Sequence, residues 1–501
     1  MEIPREYNAA VDLVGRNASR GAKAAFIDDT GTCTYAQLAE RVDRAANALR
    51  SLGLERENRI AIAMLDSADW PAIFLGAIKA GIVPVALNTL LTPSDYEYQL
   101  KDSRARALFV SEPLLKSFEP IRSKCPDLKH VVSDIRGFIA SGAPKAEAAP
   151  TTRDDMCFWL YSSGSTGAPK GTVHLHSHLI LTAELYAKGV LGMRESDVIF
   201  SAAKLFFAYG LGNSMTFPMA LGATTVLMAE RPTPDAVFKR LVEKKPTIFF
   251  GVPTLYAGML AAPNFPGKKD LGLRVCVSAG EALPPAIGNG FQQRTGVEIL
   301  DGIGSTEMLH IFLSNRPGEV RYGTTGKAVP GYELRLVDEQ GGLITTPGEL
   351  GELQIGGPTS AVMYWNQREK TKNTFQGPWT RSGDKYSFDK DGYYTYGGRS
   401  DDMLKVGGIY VSPVEVEMAL SSHEAVLEAA VVGQEDESKL VKPKAYVVLK
   451  PGQSATDDLK AMLQQHVKAK LAPYKYPRWI EFRSDLPKTA TGKIQRFKLR
   501  G

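Results

Sequence analysis

A stretch of eleven residues rich in glycine, serine and threonine has the composition of a phosphate-binding loop. It reads YSSGSTGAPKG from Tyr161 to Gly171 and follows a short apolar run, Cys157 to Leu160, that predicts a strand. Its backbone N–H groups, its hydroxyls and the charge of Lys170 are suited to cradling phosphates. It is not a Walker A loop, because no Gly-Lys-Ser/Thr unit stands at the required offset. A flexible linker has a similar composition, so composition alone leaves both interpretations open.

Further segments with acidic, basic and glycine residues at fixed offsets follow along the chain. They are SAGEALP (Ser278–Pro284), DGIGSTE (Asp301–Glu307), SGD (Ser382–Asp384), GRSDDMLK (Gly398–Lys405) and PKTATGK (Pro487–Lys493). Together with the first loop, and in this order, they resemble the motifs of the adenylate-forming superfamily. That superfamily includes acyl-CoA synthetases, adenylation domains of nonribosomal peptide synthetases, and luciferases. The resemblance covers nearly the whole chain.

The resemblance implies an enzyme that activates a carboxylate with ATP. A carboxylate is a poor electrophile because its leaving group would be oxide, whereas attack on the α-phosphate of ATP turns that oxygen into part of a good leaving group, AMP. The barrier lies in bringing two anions together, and positioning, cations and fixed donors lower it. The implied co-substrates are ATP and coenzyme A, and the implied cofactor is Mg²⁺.

The resemblance also gives roles to individual residues. Lys493 would neutralise the carboxylate and the α-phosphate, which Thr306 would contact, and Glu307 would help to hold Mg²⁺ together with Thr166. Asp384 would accept hydrogen bonds from the ribose hydroxyls. Without the motifs, each residue has an ordinary structural interpretation. Lys493 would be a solvated surface lysine, and Asp384 would be a turn residue.

The remaining nucleotide-binding positions come from the same motifs, and Arg399 would contact ATP unless it forms a surface ion pair. These positions are Ser162, Ser163, Gly164, Ser165, Thr166, Gly167, Lys170, Ala279, Gly280, Glu281, Asp301, Gly302 and Ile303. Ile303 departs from the motif, which commonly has an aromatic ring there. We therefore expect apolar packing on the adenine without ring stacking.

The C-terminal motifs imply a domain that takes two arrangements, one for adenylation and one for thioester formation. Asp401 would lie at the hinge, and Lys405 would lie near the site in the second arrangement. Gly407 and Gly408 would face coenzyme A, because glycine allows close approach of a ligand to the backbone. Residues 442–500 hold 14 Lys or Arg and four Asp or Glu. That excess is either a solvated face or a surface for the phosphates of coenzyme A.

Four stretches resemble the benzoate–CoA ligase group, which includes 4-hydroxybenzoate–CoA ligases. They are FFAYGLGN after Leu205, GIGSTEMLHIF from Gly302, YGTTG from Tyr322 and KVGGIYVSP from Lys405. The resemblance places Phe206, Phe207, Ala208, Tyr209, Ile303, Gly304 and His310 around the acyl group. A flat apolar slot suits an aromatic ring, although the same side chains are also typical of a core. His310 is a pocket wall, a donor to a ring substituent or a structural histidine.

Other functions are weighed against an aryl-carboxylate–CoA ligase. One is a stand-alone enzyme that loads an aryl acid onto a carrier protein, and another is a CoA ligase for a non-aromatic acid. Residues 206–211 contain no acid to pair with a substrate ammonium, which argues against amino acids. A non-catalytic nucleotide-binding protein is disfavoured because Thr306, Glu307, Asp384 and Lys493 are all present.

The histidines and cysteines do not form a typical metal site. His174, His176 and His178 would share one side of a strand, but they follow the phosphate loop directly, where the superfamily begins a helix. No Asp or Cys completes a ligand set there. The four cysteines are widely spaced and form no C-x-x-C pair, which fits a reducing compartment.

Strand and helix patterns alternate over the first 300 residues, which predicts a largely parallel α/β architecture. Short strands with glycine-rich turns follow from about residue 320 and predict a small β-rich subdomain. We place residues 1–398 in a large domain for ATP and acid, and residues 399–501 in a small, mobile α+β domain. The first carries the nucleotide and acyl sites, and the second carries the catalytic lysine and faces coenzyme A.

Composition limits the class of protein. The chain has 501 residues, a net charge of +5, 44% hydrophobic and 23% charged residues, which are ordinary values for a globular protein. Neither a signal peptide nor an apolar run of about 18 residues is apparent. We expect a soluble, cytoplasmic enzyme with no nucleic-acid or membrane partner, and the family resemblance allows a homodimer.

Overall fold

A computed structural model describes residues 2–162, 169–400, 402–406, 409–437, 440–488 and 494–500, with only the backbone described at Lys405, Ile409, Tyr410 and Pro473. Within these residues the helices are α1 (Ala9–Gly15), α2 (Tyr35–Ser51), α3 (Asp69–Lys79), α4 (Pro93–Ser103), α5 (Ile135–Ser141), α6 (His176–Thr182), α7 (Ala208–Leu211), α8 (Phe217–Leu221), α9 (Pro234–Lys244), α10 (Pro253–Ala261), α11 (Pro285–Thr295), α12 (Arg368–Thr374), α13 (Pro413–Ser421) and α14 (Asp457–Lys470).

The strands of the first 320 residues form the two large sheets. They are β1 (Ala24–Asp28), β2 (Gly31–Thr34), β3 (Arg59–Ala63), β4 (Val83–Ala86), β5 (Ala107–Val110), β6 (His130–Val132), β7 (Met156–Ser162), β8 (Lys170–Leu175), β9 (Val198–Ser201), β10 (Thr224–Val226), β11 (Ile248–Gly251), β12 (Val275–Ser278), β13 (Ile299–Gly304) and β14 (Ile311–Ser314).

The later strands belong mostly to smaller sheets. They are β15 (Lys327–Ala328), β16 (Glu333–Val337), β17 (Leu343–Ile344), β18 (Gly351–Gly356), β19 (Met363–Tyr364), β20 (Phe375–Gln376), β21 (Trp379–Phe388), β22 (Tyr394–Arg399), β23 (Leu404–Val406), β24 (Ile409–Val411), β25 (Val426–Glu435), β26 (Val441–Leu449) and β27 (Trp479–Phe482).

The large N-terminal part contains two mixed sheets. The nine-stranded sheet has the order β15-β14-β13-β12-β11-β9-β10-β1-β2, and the seven-stranded sheet has the order β19-β8-β7-β4-β3-β5-β6. Their central strands are parallel, whereas β13–β14 and β7–β8 pair antiparallel. The sequence predicts the alternation of strands and helices, and the structure divides it between two sheets.

Local signals in the sequence explain the helices that cover these sheets. Thr34 and Gln37 stand at the spacing of a capping box, which predicts the start of a helix, and the structure shows this box at α2 and a second one, Thr92 with Asp95, at α4. Both caps satisfy N–H groups that a helix terminus would otherwise leave without partners. The helix α3 is apolar on all sides, as expected of a helix buried between other elements.

The β-rich part begins after the nine-stranded sheet ends. Its six-stranded sheet has the order β17-β16-β18-β21-β20, with β22 also paired to β21. The residues up to Arg399 are therefore paired with this sheet, and the following strand begins at Leu404. A domain boundary between residues 398 and 399 stays a prediction.

The C-terminal part has its own sheet, of order β25-β26-β27, and its own apolar cluster. The helices α13 and α14 pack on it through residues such as Val416, Leu420 and Leu463. In the part of the chain that the structure describes, every helix is too short or too polar to cross a bilayer.

An ion pair between the buried Asp197 and the partly exposed Arg274 joins the segment before β9 to the nine-stranded sheet. Asp197 accepts hydrogen bonds from Arg274 Nε (2.8 Å) and Nη2 (2.6 Å), from Thr247 Oγ1 (2.8 Å) and from the Arg194 N–H (2.9 Å). Burial by itself raises the pKa of Asp197, but these donors together hold that pKa below its usual value. The paired carboxylate therefore stabilises the fold only where it is ionised.

We predict that Asp197→Ala destabilises the large domain by about 1–3 kcal/mol, because it removes the buried acceptor of Arg274, Thr247 and the Arg194 N–H. Urea unfolding followed by tryptophan fluorescence measures this loss. The matched control is Glu369→Gln, since Glu369 lies in an ion pair at 3.7 Å with a side chain that is 79% exposed. Its effect should stay below about 1 kcal/mol, and equal losses in both variants would contradict the assignment.

Candidate active site

The candidate site lies where a loop of the nine-stranded sheet meets the edge of the seven-stranded sheet. The loop after β13 carries Thr306 and Glu307, and Ser162 and Lys170 lie at the end of β7 and the start of β8. Ser162 Oγ donates to Glu307 Oε1 at 3.2 Å. Ends of strands are the usual place for ligands in α/β sheets.

Glu307 is the central acid of the site. Its Oε1 accepts a hydrogen bond from Tyr364 OH at 2.7 Å and lies 3.7 Å from Lys170 Nζ. Burial by itself would raise the pKa of Glu307, but Lys170, Tyr364 and Ser162 together hold that pKa below its usual value. The carboxylate is therefore kept ionised inside the protein.

Lys170 supplies the positive charge beside this carboxylate. Its side chain is 18% exposed, and burial lowers its pKa although Glu307 opposes the shift. Nζ donates to Tyr364 OH at 3.2 Å and lies 4.3 Å from the centroid of the Tyr364 ring. The ring and the carboxylate hold the ammonium at the start of β8, where the predicted phosphate loop ends.

Tyr364 is the residue of this cluster that sequence reasoning missed. It lies in β19, whose Tyr364 pairs with Thr172 of β8, far along the chain from the phosphate loop. The motif letters around it, MYWN at residues 363–366, form an isolated aromatic pair after a glycine-rich stretch. Such a pair is typical of a core strand, so nothing in the local sequence marks Tyr364 as a site residue.

A buried histidine fixes the turn that presents Glu307. The Thr306 carbonyl accepts hydrogen bonds from His174 Nε2 (2.7 Å) and from the Leu309 N–H (3.2 Å). Leu309 has a φ of 67°, a left-handed conformation that costs a non-glycine residue on the order of 1–3 kcal/mol. The contact therefore helps to keep a strained turn in place at the site.

The three histidines near the phosphate loop have structural partners. His174 lies in β8, and His176 and His178 open α6. His174 Nδ1 lies 3.0 Å from His178 Nδ1, and His176 Nδ1 accepts from the Ala9 N–H at 3.1 Å. Burial lowers the pKa of His174 and of His176 to about 4, so both are neutral near pH 7.

The described residues fit Mg²⁺ as a site of one carboxylate completed by substrate. They contain no group of three or more His, Cys, Asp or Glu that would enclose a metal. Ser162, Lys170 and Tyr364 all contact Oε1 of Glu307, which leaves its Oε2 to other ligands. Mg²⁺ is commonly bound by one or two carboxylates plus phosphates.

Several predicted site residues lie outside the described residues. They are Ser163, Gly164, Ser165, Thr166, Gly167, Asp401, Gly407, Gly408 and Lys493, together with the side chain of Lys405. The residues next to Lys493 are described. The Ile494 N–H donates to Glu281 Oε1 at 3.0 Å, and Lys488 and Ile494 form an antiparallel bridge. This hydrogen bond joins the C-terminal segment to the predicted adenine-side loop.

The predicted adenine side is formed by neighbouring strand ends. Ser278 of β12 pairs with Asp301 of β13, and Ala279 and Gly280 follow directly. Gly280 has a φ of 98°, which glycine adopts without strain. Asp301 Oδ1 is buried without a hydrogen-bond partner among the described residues, and burial raises the pKa of Asp301. A buried acceptor of this kind fits a ligand that brings an amino group.

The predicted ribose side lies on the β-rich subdomain. Asp384 and Arg399 are paired across β21 and β22, and Arg399 Nη1 donates to Asp384 Oδ1 at 3.2 Å. Tyr396 OH also donates to this oxygen, at 3.5 Å. The Arg399 side chain is 42% exposed, so this guanidinium remains accessible to a ligand.

Of the predicted acyl residues, Tyr209 and Gly304 lie beside His310, and Phe206 and Phe207 form a separate aromatic pair. Phe206 and Phe207 rings are 4.4 Å apart, and Tyr209 and His310 rings are 5.6 Å apart. Ile303 and Gly304 end the neighbouring β13. A side chain at Gly304 would come within 2.6 Å of the His310 backbone, so glycine is required for this close approach.

His310 has mainly structural contacts. Its Nε2 lies 3.1 Å from Asn213 Oδ1 and 3.3 Å from the Tyr209 carbonyl, both of which accept. The proton therefore sits on Nε2. Burial lowers the pKa of His310 to about 3, and its Nδ1 is a buried acceptor without a partner in the described part of the chain. Asn213 lies in a π-helical turn, Gly212–Thr216, a rare element that is frequent at functional sites.

Comparisons with known proteins identify the family of the chain. Residues 15–365 match the AMP-binding enzyme family, and residues 415–493 match its C-terminal domain. The chain is 65% identical over 510 residues to a benzoate–CoA ligase of Thauera aromatica. The aligned region covers 100% of this chain and 97% of that relative. It is 49% identical to a 4-hydroxybenzoate–CoA/benzoate–CoA ligase of Rhodopseudomonas palustris, with coverage of 99% and 94%.

The fold is also that of a solved relative. A crystal structure of a benzoate CoA ligase from Burkholderia xenovorans superposes with a TM-score of 0.94 at 56% identity, covering 99% of this chain and 100% of that one. The similarity thus extends through both the N-terminal and the C-terminal part. The chain belongs to the adenylate-forming superfamily of AMP-binding enzymes.

Proposed function

We propose that the chain is an ATP-dependent aryl-carboxylate–CoA ligase of the benzoate or hydroxybenzoate type. The acid and ATP form an aryl-adenylate and pyrophosphate, and coenzyme A then displaces AMP to give the aryl-CoA thioester. The observation that carries the proposal is the full-length similarity to the Thauera aromatica benzoate–CoA ligase.

The first step needs positive charge where two anions approach. Lys170 lies at the end of the phosphate loop and would pair with phosphate oxygens of ATP while it remains beside Glu307. Mg²⁺, held by Glu307 and the nucleotide, would neutralise phosphate charge. Asp301 and Asp384 would accept hydrogen bonds from the adenine amino group and the ribose. Lys493, the neighbour of Ile494, would contact the carboxylate and the α-phosphate.

The second step needs a different arrangement of the C-terminal domain. Lys405, Gly407 and Gly408 would then face the adenylate and the pantetheine of coenzyme A, with Asp401 as hinge. The thiolate sulfur attacks the acyl carbon, and the bond to the AMP oxygen breaks. The basic C-terminal residues would contact the phosphates of coenzyme A.

An aromatic acid is favoured by the walls of the acyl region. Phe206, Phe207, Tyr209 and Ile303 offer apolar surface, and residues 206–211 lack an acid. The flat ring of a benzoate would bury its apolar faces against these side chains, and it carries no charged ring substituent that would need a partner. Cytoplasmic location and a homodimer stay predictions.

We predict that benzoate or a hydroxybenzoate gives CoA thioester at a kcat/KM at least about 100-fold above that of hexanoate or an amino acid. A flat slot would fit the flexible chain of hexanoate poorly, and it would leave the ammonium of an amino acid without an acidic partner. A panel of benzoates, cinnamate, hexanoate and an amino acid with ATP, Mg²⁺ and coenzyme A measures this. Pyrophosphate release without any thioester would favour the enzyme that loads a carrier protein. A preference for hexanoate would favour a ligase for non-aromatic acids.

Glu307→Gln should lower adenylation about 100-fold, because the amide keeps a carbonyl oxygen near Tyr364 but loses the charge that binds a cation. Acid-dependent pyrophosphate release measures the first step, and thioester formation from supplied benzoyl-adenylate measures the second. The second step should stay within about three-fold of wild type, since it uses no ATP. Glu352→Gln, which removes an acid paired with Arg381 in the β-rich subdomain, is the control. Equal loss in both steps would contradict the role of Glu307.

Lys493→Ala should lower adenylation by about 100-fold to 1,000-fold and leave thioester formation from benzoyl-adenylate nearly unchanged. The same two half-reactions measure the effect. Lys488 offers a matched control in the same motif, because Glu428 Oε2 holds its ammonium at 2.7 Å. An adenylation rate that falls as far in Lys488→Ala as in Lys493→Ala would refute a specific role for Lys493.

A further inference from the structure

Tyr364 lies at the centre of the candidate site although it belongs to none of the motifs that mark the site in the sequence. Its side chain is 3% exposed, and its ring packs at 5.2 Å on Phe375. Its phenol donates to Glu307 Oε1 at 2.7 Å, and that phenol oxygen also accepts from Lys170 Nζ at 3.2 Å. The hydroxyl thus connects the cation of the site to its anion.

The contacts to the Glu307 carboxylate are distributed unequally between its two oxygens. Tyr364 OH, Ser162 Oγ and Lys170 Nζ all reach Oε1, at 2.7, 3.2 and 3.7 Å. A carboxylate held in this way through one oxygen has a fixed plane, and its other oxygen points to a defined place. Of the three, the phenol makes the shortest contact and so contributes most to that orientation.

The backbone around Tyr364 is held from both sides of the site. The Ala361 N–H donates to the Glu307 carbonyl at 2.7 Å, and the Trp365 N–H donates to the Gly171 carbonyl at 2.8 Å. The segment from residue 361 to 365 therefore spans from the loop that carries Glu307 to the strand that carries Lys170. These hydrogen bonds and the pairing of β19 with β8 fix the position of the phenol. The phenol can therefore support the Glu307 carboxylate rigidly.

We propose that Tyr364 is a positioning residue that turns Glu307 so that its Oε2 faces the Mg²⁺ of the bound nucleotide. The proposal rests on the proposed function only in that the nucleotide is MgATP. Groups that orient a metal ligand typically change metal affinity by about 10-fold to 100-fold when they are removed. The effect of Tyr364 should therefore depend on the metal and should be absent from binding of the nucleotide alone.

The test is Tyr364→Phe in the full-length protein, which keeps the ring with its packing on Phe375 and its cation–π contact with Lys170, and removes the hydroxyl that bonds to Glu307 and Lys170. Isothermal titration calorimetry with ATP is run in Mg²⁺ and again in EDTA. We expect MgATP to bind about 10-fold more weakly, while metal-free ATP binds within about two-fold of wild type. The Mg²⁺ concentration that half-saturates pyrophosphate release should rise about 10-fold, with little change in kcat at saturating Mg²⁺.

A merely structural role gives a different pattern. If Tyr364→Phe weakens ATP binding equally with and without Mg²⁺, or changes neither, the proposal is overturned. Tyr393→Phe is the control, since its phenol donates to the Glu319 carbonyl in the β-rich subdomain, and it should behave as wild type.

Two further measurements keep the result decisive. If Tyr364→Phe does not fold, Ser162→Ala removes another contact to Oε1, and a loss of ATP affinity in Mg²⁺ alone supports the proposal, whereas equal loss in EDTA overturns it. Thioester formation by the wild type is assayed separately. Failure to make aryl-CoA would refute the proposed function, and the binding data would still report on Tyr364.

Discussion

A charged carboxylate that is largely withdrawn from solvent beside an equally shielded ammonium sets the main constraint on this structure. An ionised carboxyl group that leaves water costs several kcal/mol unless charge and hydrogen bonds replace its hydration. At Glu307 that replacement comes from Ser162, Lys170 and Tyr364, which lie 145, 137 and 57 residues away in the chain. The two large sheets and the strand β19 must therefore be assembled before this acid can be both withdrawn from solvent and charged. The same assembly brings the phosphate-loop stem to the predicted metal ligand.

Part of this arrangement follows from local sequence. The capping residues Thr34 and Thr92 predict where α2 and α4 begin, because their side chains satisfy the free N–H groups of the first turn. The order of the six motifs identifies the superfamily and places Glu307 and Lys170 in the site. The division of strands between two sheets was not predictable in this way. Buried parallel strands such as β3 and β11 are both short apolar runs, and the strands they pair with are distant in sequence.

The supporting residues were the hardest to predict. Tyr364 reads as a core aromatic, and its value comes from a pairing of β19 with β8 that no local pattern specifies. His174 reads as one of three histidines at a spacing typical of metal ligands, yet its Nε2 supports the Thr306 carbonyl. Tyr364 acts through hydrogen bonds to residues 57 and 194 positions away, and His174 through one to a residue 132 positions away. The motifs in the sequence identify the predicted reacting residues, whereas contacts between distant parts of the chain set how their side chains are oriented.

The C-terminal segment has a contact to the large domain and an ion pair within the C-terminal part. Ile494 donates to Glu281, and Arg496 pairs with Glu417 at 2.6 Å. Although burial opposes it, Glu417 raises the pKa of Arg496 above its usual value, so this guanidinium stays charged next to the predicted catalytic lysine. The hydrogen bond to Glu281 places Ile494 against the predicted adenine-side loop of the large domain.

The central claim is that an aryl acid is activated as an adenylate before coenzyme A takes part. Isotope exchange between ATP and labelled pyrophosphate, measured with benzoate and Mg²⁺ but without coenzyme A, tests it most directly. The account predicts exchange that depends on benzoate and reaches a rate comparable to overall turnover. Exchange that appears only when coenzyme A is added, or that is independent of benzoate, would contradict it.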